Sequence, residues 1–414
     1  MSTRVTAAPA DQLTVRRSNL SLVLSHLRDA GPRSRARIAA DTGLNKATVS
    51  SLVAELVERG LVGEGEVERA GSVGRPGQSV GLAAGLVVGV GVEVNADFVD
   101  VTALDLTHEV VLSRRTPADM RALGERGAIA LMVRCLEDAL GALRERGSSV
   151  VGVTVAVPAL VDSGRGRVAL APNLGWTGTE LAAQLDAALV DHGVHVTVDN
   201  DANLGAIAEH ALGVGRDVDD LVYLAGEVGV GCGVIVGGQL VRGSSGFTGE
   251  IGHAPLNPRP EICGCGRVGC WETQVGLGVL LKGCARGPGD PILDADADID
   301  DRLQEIAARA AAGEVRTVDA LERVGIALGL GASVLVNIVN PRALVLGGYF
   351  AALSEHLSPY VVHTLLERVV APEAGGVQVR ASRLGFTAAS RGGAVVALQQ
   401  VFADPTRVPV TAAG

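Results

Sequence analysis

The sequence predicts an α/β protein with a winged helix-turn-helix head in front of a larger body made of two similar halves. Three observations carry this: helix, short helix, tight turn and helix follow one another near the start; one strand rhythm occurs twice further on; and a basic front precedes an acidic remainder. At 414 residues the chain is long enough for about three domains at roughly 150 residues each. Hydrophobic residues reach 47% but aromatics only 2%, alongside 55 glycines, so the core must be aliphatic and packed at close backbone approach.

In the head, Leu20, Val23, Leu24 and Leu27 recur at helical spacing, and Gly31-Pro32 stops that helix. Ser34 caps a short second helix with Ile38 and Ala39 inward, ended at Gly43. Asn45 caps a third, whose apolar face is Val49, Leu52, Val53, Leu56 and Val57. That order is the helix-turn-helix pattern. Lys46, Ala47, Ser50 and Ser51 then point away from the core, small and polar enough for the helix to enter a major groove, with Asn45 and Thr48 beside them. Leu61-Val62 and the stretch from Gly63 to Leu82 read as a wing. Within it Gly74-Arg75-Pro76-Gly77 is an extended Arg-centred segment of the kind that lies in a narrow A·T-rich minor groove.

Charge agrees with that reading. Residues 1–80 carry 11 Arg/Lys against 8 Asp/Glu, the remainder 25 against 38, within a formal net charge of −10. Only the front can attract a polyanion; the rest repels phosphate. A three-helix docking domain without nucleic acid is the alternative to a DNA reader.

The body opens with strands at Leu86 to Val94, Phe98 to Asp105 and Glu109 to Arg115, and the same rhythm returns at Leu221 to Ala225, Gly231 to Val236 and Gln239 to Arg242. Such internal similarity points to a duplicated fold. Between the sets lie an amphipathic helix, Ala128 to Arg146, a buried strand, Val150 to Val157, and Val196 to Asn203, a strand that ends in a polar cluster and opens a helix. Asn200 and Asp201 there are either ordinary helix caps or binding groups. Helices are expected from Asp301 to Ala311 and Thr317 to Ile338, a strand from Leu344 into Gly347-Gly348, and a Gly/Ala-rich segment from Ala388 leading to a terminal helix.

The densest chemistry lies between Gly249 and Glu272. His253, Cys263, Cys265 and Cys270 form an N/S set suited to tetrahedral zinc, in a Gly/Pro-rich loop with no apolar periodicity of its own. Clustered reduced thiols are the alternative. Cys135, Cys232 and Cys284 stand alone, which suits a reducing compartment better than a disulfide framework. No apolar leader follows Met-Ser-Thr-Arg. The most apolar run, Val324 to Val336, is cut by Asn337, Asn340 and Pro341 before the ~20 residues a bilayer requires, so a cytoplasmic protein without a membrane partner is expected.

Glu250-Ile-Gly-His253 and Cys263-Gly-Cys-Gly-Arg-Val-Gly-Cys-Trp-Glu272 resemble the signature of the ROK family of repressors, open reading frames and kinases. The resemblance covers nearly all of the chain except the first 15 residues or so and the end after Asp404. It implies an actin-like, ribonuclease-H-like body with a sugar cleft between two lobes. By that resemblance Asn173, Asn200, Asp201, Glu250, His253 and Glu272 contact sugar hydroxyls, His253 also holds zinc, and Asp201 is the position of the kinases' base. Trp176 and Trp271, inside these motifs, either wall the pocket or fill the core. The expected division is a flexible 1–15, a winged helix-turn-helix head 16–82, a two-lobed body 83–404 and a tail 405–414.

Two loops depart from the kinase pattern. Asp-x-Gly-Gly-Thr is replaced by Glu93-Val94-Asn95-Ala96-Asp97, and Gly-Thr-Gly-x-Gly by Glu227-Val228-Gly229-Val230-Gly231. Both lose the hydroxyl and present carboxylates where nucleotide phosphates must be held. The expectation is therefore a sugar-responsive repressor with no catalytic residues. It would act as a homo-oligomer, dimer or tetramer, on an inverted-repeat double-stranded operator. A sugar kinase with an operator-binding head and a DNA binder with a vestigial pocket are the other readings.

Overall fold

The computed structural model describes residues 12–67, 78–294, 297–370 and 376–410. The head consists of α1 (Gln12–Ala30), β1 (Arg33–Ser34), α2 (Arg35–Thr42), α3 (Lys46–Glu58), β2 (Val62–Val67) and β3 (Gln78–Leu82). Its local signals work as expected. Ser34 and Asn45 cap α2 and α3 by accepting from Arg37 N and Thr48 N, and Leu20, Val23, Leu24, Leu27, Ile38, Val49, Leu52 and Leu56 are buried together. Val57, expected on the same face, is 39% exposed. The sheet order is β1-β3-β2. α1 begins at Gln12, ahead of the boundary expected at 16, and the Gly74 to Gly77 segment with Arg75 lies outside the described residues.

The first lobe comprises β4 (Val87–Val94), β5 (Phe98–Asp105), β6 (Val110–Pro117), α4 (Met120–Glu145), β7 (Ser149–Val157), β8 (Leu160–Asp162), β9 (Arg167–Ala171), β10 (Trp176–Thr179), α5 (Leu181–Ala188), β11 (Val196–Asn200) and α6 (Asp201–Ala211). The second comprises β12 (Leu221–Gly226), β13 (Val230–Val236), β14 (Gln239–Leu240), α7 (Glu272–Val275), α8 (Leu277–Cys284), α9 (Ile299–Ala311), α10 (Val315–Val339), β15 (Ala343–Gly348), α11 (Tyr349–Ala352), α12 (Ser354–Arg368) and β16 (Gln378–Ala381). The last helix is α13 (Ala388–Ala403).

The duplication is explicit in the sheets, ordered β11-β7-β4-β5-β6 and β14-β13-β12-β15-β16. In each, one strand (β4 or β12) runs antiparallel to the next in sequence and parallel to a later one. The turns after β4 and after β12 are therefore equivalent positions, and they carry the two altered loops.

Helix α4 starts earlier than its amphipathic pattern suggested, because Gly124 (φ 63°) breaks the first turn from the rest. Helix α13 likewise starts at Ala388 itself. Its glycines are tolerated because they admit neighbours at backbone distance. A Cβ on Gly91 of β4 would overlap the Ser390 carbonyl, and one on Gly392 would overlap the Leu204 carbonyl of α6. By length and composition α10 is apolar enough to cross a bilayer, yet Leu321, Val324, Leu328 and Ala332 are buried in the second lobe's core.

The head rests on the end of α13. Ser21 Oγ donates to Phe402 O at 2.7 Å, the Arg28 guanidinium lies 4.9 Å from the Phe402 ring centroid, and Arg59 Nη1 donates to Val408 O at 2.5 Å. Pro405 and Val408 are buried, so this part of the expected tail is packed structure. Leu20, Leu24, Leu398, Val401 and Phe402 belong to one apolar cluster. Phe402→Ala should cost about 3–5 kcal/mol and uncouple head from body. Calorimetry should then resolve a second unfolding transition; a single unchanged transition would contradict this packing.

Candidate ligand pocket and metal centre

The pocket lies between the lobes and is lined by residues from both. β9–β10 supplies Asn173, the junction of β11 and α6 supplies Asn200 and Asp201, and the second lobe supplies Glu250, His253 and Glu272. All six residues expected from the sequence thus meet at one cavity, which encloses about 940 Å³ including its mouth. Arg267 also lines it, a residue the motif reading passed over although it sits between the clustered cysteines.

Asn200 serves as a cap as well. Its Oδ1 accepts from Asn203 N at 3.0 Å and its Nδ2 donates to Ala159 O at 3.2 Å, which fixes the amide at the pocket's edge. Both tryptophans belong to the core rather than the pocket wall. Trp176 and Trp271 are 1% and 0% exposed, and Trp271 Nε1 donates to Ala327 O at 2.7 Å.

Beside the pocket, the ligating atoms of His253, Cys263, Cys265 and Cys270 all lie within 4.8 Å of one another. Cys263 Sγ is 3.7 Å from His253 Nδ1, and Cys265 Sγ is 3.7 Å from Cys270 Sγ. A tetrahedral centre with metal–sulfur bonds of about 2.3 Å has sulfur–sulfur edges of ~3.8 Å, so the set fits a metal ion. Glu272 connects centre and pocket: Oε1 is 3.2 Å from Cys263 Sγ, while Oε2 accepts from Val230 N at 3.1 Å. His253 Nε2 lies 3.7 Å from Glu250 Oε2.

The two altered loops face each other across the cleft. Asn95 Nδ2 donates to Glu93 Oε1 at 3.3 Å and also to Glu227 Oε2. Burial, followed by the charge of Glu227, raises the Asp201 carboxyl to about 8 and pushes Glu93 well above the carboxylate range; burial also raises Glu227. The carboxyl and amide groups of this wall can pair with the hydroxyls of a neutral polyol.

On the head, Lys46, Ser50 and Ser51 are exposed at the start of α3, and Thr48 is half-buried. Asn45 uses Oδ1 for the cap at 2.8 Å, Ser50 Oγ donates to Lys46 O at 2.9 Å, and Ser51 Oγ accepts from Arg16 Nη2 at 3.4 Å.

A two-lobed, actin-like body with a polar cleft is a layout that regulators and sugar kinases share, and a helix-turn-helix head in front of it is the layout of a regulator. The chain belongs to the ROK family: that family's model matches residues 90–400, and a MarR family model matches residues 21–75. The xylose repressor of Caldicellulosiruptor bescii is 28% identical over 395 residues, covering 94% of this chain and 97% of its own. The crystal structure of a ROK family transcriptional regulator, a homolog of the E. coli MLC protein, superposes with TM-score 0.78 at 23% identity over 95% of this chain and 99% of its own. A ROK family glucokinase from Streptomyces griseus, solved with glucose and AMPPNP, gives TM-score 0.65 at 25% identity over 75% of this chain and 99% of its own.

The raised Asp201 carboxyl has a consequence for stability. Above its ordinary value of 3.8 the unfolded chain has lost a proton that the folded chain keeps until about 8, so this group lowers stability as pH rises between those values. Asp201→Asn should therefore melt higher than wild type near pH 8 and lose that advantage toward pH 4. A thermal-melt series over pH checks it; a variant that melts lower throughout would contradict the assigned burial.

Proposed function

We propose that this protein is a sugar-responsive transcriptional repressor that holds an inverted-repeat operator as a symmetric homo-oligomer, a dimer or tetramer, and releases it when a sugar or sugar derivative fills the cleft. The division we infer is an operator head that begins with α1 and runs to 82, and a sugar-binding body over 83–404. The observation that carries the reading is a pocket of sugar-pairing groups, walled with buried carboxylates, in a chain whose head packs on α13, the helix that lies against α6, whose first residue Asp201 lines that pocket. The name of the xylose repressor supports it from outside.

In this reading Asn173, Asn200, Asp201, Glu250, His253 and Glu272 pair with sugar hydroxyls, and no residue is catalytic. Asn45, Lys46, Thr48, Ser50 and Ser51 meet the major groove, with Arg75 in the adjacent minor groove. One head buries little surface, so two act together. The protein works in the cytoplasm, with no membrane partner.

The metal is zinc, held by His253, Cys263, Cys265 and Cys270, where it would fix the imidazole and the neighbouring Glu272 so that they reach the sugar preorganised. Metal analysis should find about one zinc per chain, and Cys263→Ser should lose it together with sugar response. Full sugar response without zinc would contradict this role.

Ligand identity is found by a thermal-shift screen over sugars, amino sugars and sugar phosphates, since a ligand bound only by the folded chain raises its midpoint. With the ligand in hand, wild-type protein should leave the operator in an anisotropy titration. Asp201→Asn should bind the operator normally and fail to leave it at the same sugar concentration. ATP-dependent phosphorylation of that sugar would instead favour a kinase with a DNA-binding head.

A further inference from the structure

Behind the sugar pocket lies a second, smaller cavity that the proposed function leaves without a role. It is lined by Glu93, Asp201, Glu227, Tyr223, Ala202 and Ala225, and on its far side by residues at and just before the start of α13. Asp201, Ala225 and Glu227 also line the sugar pocket, so the two spaces adjoin. Its volume is about 10 Å³, room for one water-sized occupant.

The side chains around it are arranged for an occupant. Glu93 is 1% exposed, its Oε1 accepts from Asn95, and its Oε2 has no hydrogen-bond partner among the described residues. Asp201 Oδ1 accepts from Ala202 N at 2.8 Å and Glu227 Oε2 accepts from Asn95. Asp201 and Glu227 line the same space as Glu93. Among the described residues, no Lys, Arg or His lines the space. A proton shared between two of these carboxyls leaves the third without a donor, whereas a cation can serve all three.

We propose that this cage binds a single positive charge of ammonium size, held by Glu93, Asp201 and Glu227. The inference deepens the proposed function, since the cage opens onto the sugar pocket. A primary ammonium offers three donors to three carboxylates, and a bare potassium ion presents the same charge at similar size. Magnesium is a poor match because it keeps several waters that this space cannot hold. The charge arrives either as a free monovalent ion or as the amine of an amino sugar lying in the adjoining pocket. Either source would join the two lobes at the point where α13 begins.

The experiment uses full-length, zinc-loaded protein without DNA. Thermal midpoints are measured at constant ionic strength in the chlorides of tetramethylammonium, too bulky for the cage, and of sodium, potassium, ammonium and magnesium. Binding of glucose and of glucosamine is then compared in the tetramethylammonium salt. Potassium or ammonium raising the midpoint above tetramethylammonium supports a free ion, and glucosamine binding roughly tenfold or more tighter than glucose supports an effector amine. Either effect should vanish in Glu93→Gln, which keeps the shape and removes the charge. Glu227→Gln is read in the same way should Glu93→Gln not fold. The proposal is overturned if no cation differs from tetramethylammonium and glucosamine binds no better than glucose, or if the folded variant responds as wild type does. The salt series involves neither sugar nor operator, so its failure leaves the repressor reading standing.

Discussion

The close packing of α13 is the constraint on which the rest of the structure depends. The helix lies against β4 and α6 at backbone distance, permitted by Gly91 and Gly392, and its far end carries Phe402 into the apolar cluster of the head. Packed interiors transmit displacement because they have little free volume to absorb it. A movement of α6, whose first residue is Asp201, must therefore be felt by α13, and a movement of α13 must be felt by α1. Pocket and head are two ends of one packed column.

The chemistry at the pocket end follows from a reversal of charge. Two equivalent hairpin turns, one from each lobe, meet through Asn95 and Glu227, with Glu93 behind them. Carboxyl groups there stand where the kinase pattern has a hydroxyl, and they offer acceptors that suit hydroxyls. The neighbouring His/Cys cluster belongs to a Gly/Pro-rich loop, and His253 and Glu272 from that loop line the pocket. Specific recognition of a small polyol needs such fixed groups, because a mobile carboxylate would lose rotamer freedom on each binding event.

Much of this was legible in the sequence, for reasons that differ by element. Helices α1 to α3 were readable because caps and apolar spacing are local properties, as the Ser34 and Asn45 caps show. The six pocket residues were readable because they sit in short motifs at strand ends and in the cysteine loop. Less legible were features made by distant segments. Nothing local tells that Trp176 and Trp271 turn into the core, that Val408 packs beneath the head, or that Asn95 reaches Glu227 across the cleft. The glycines of α13 misled the reading of its start, since their cost to a helix is offset by neighbours that only the folded chain supplies.

The central claim is that sugar and operator are bound by one coupled unit, and linkage makes that claim measurable from either side. Calorimetric titration of the identified sugar into free protein and into operator-bound protein gives two dissociation constants. The account predicts weaker binding to the operator complex, by about 5–150-fold and by the same factor with which the sugar weakens operator binding. Equal sugar affinity in the two states would contradict it.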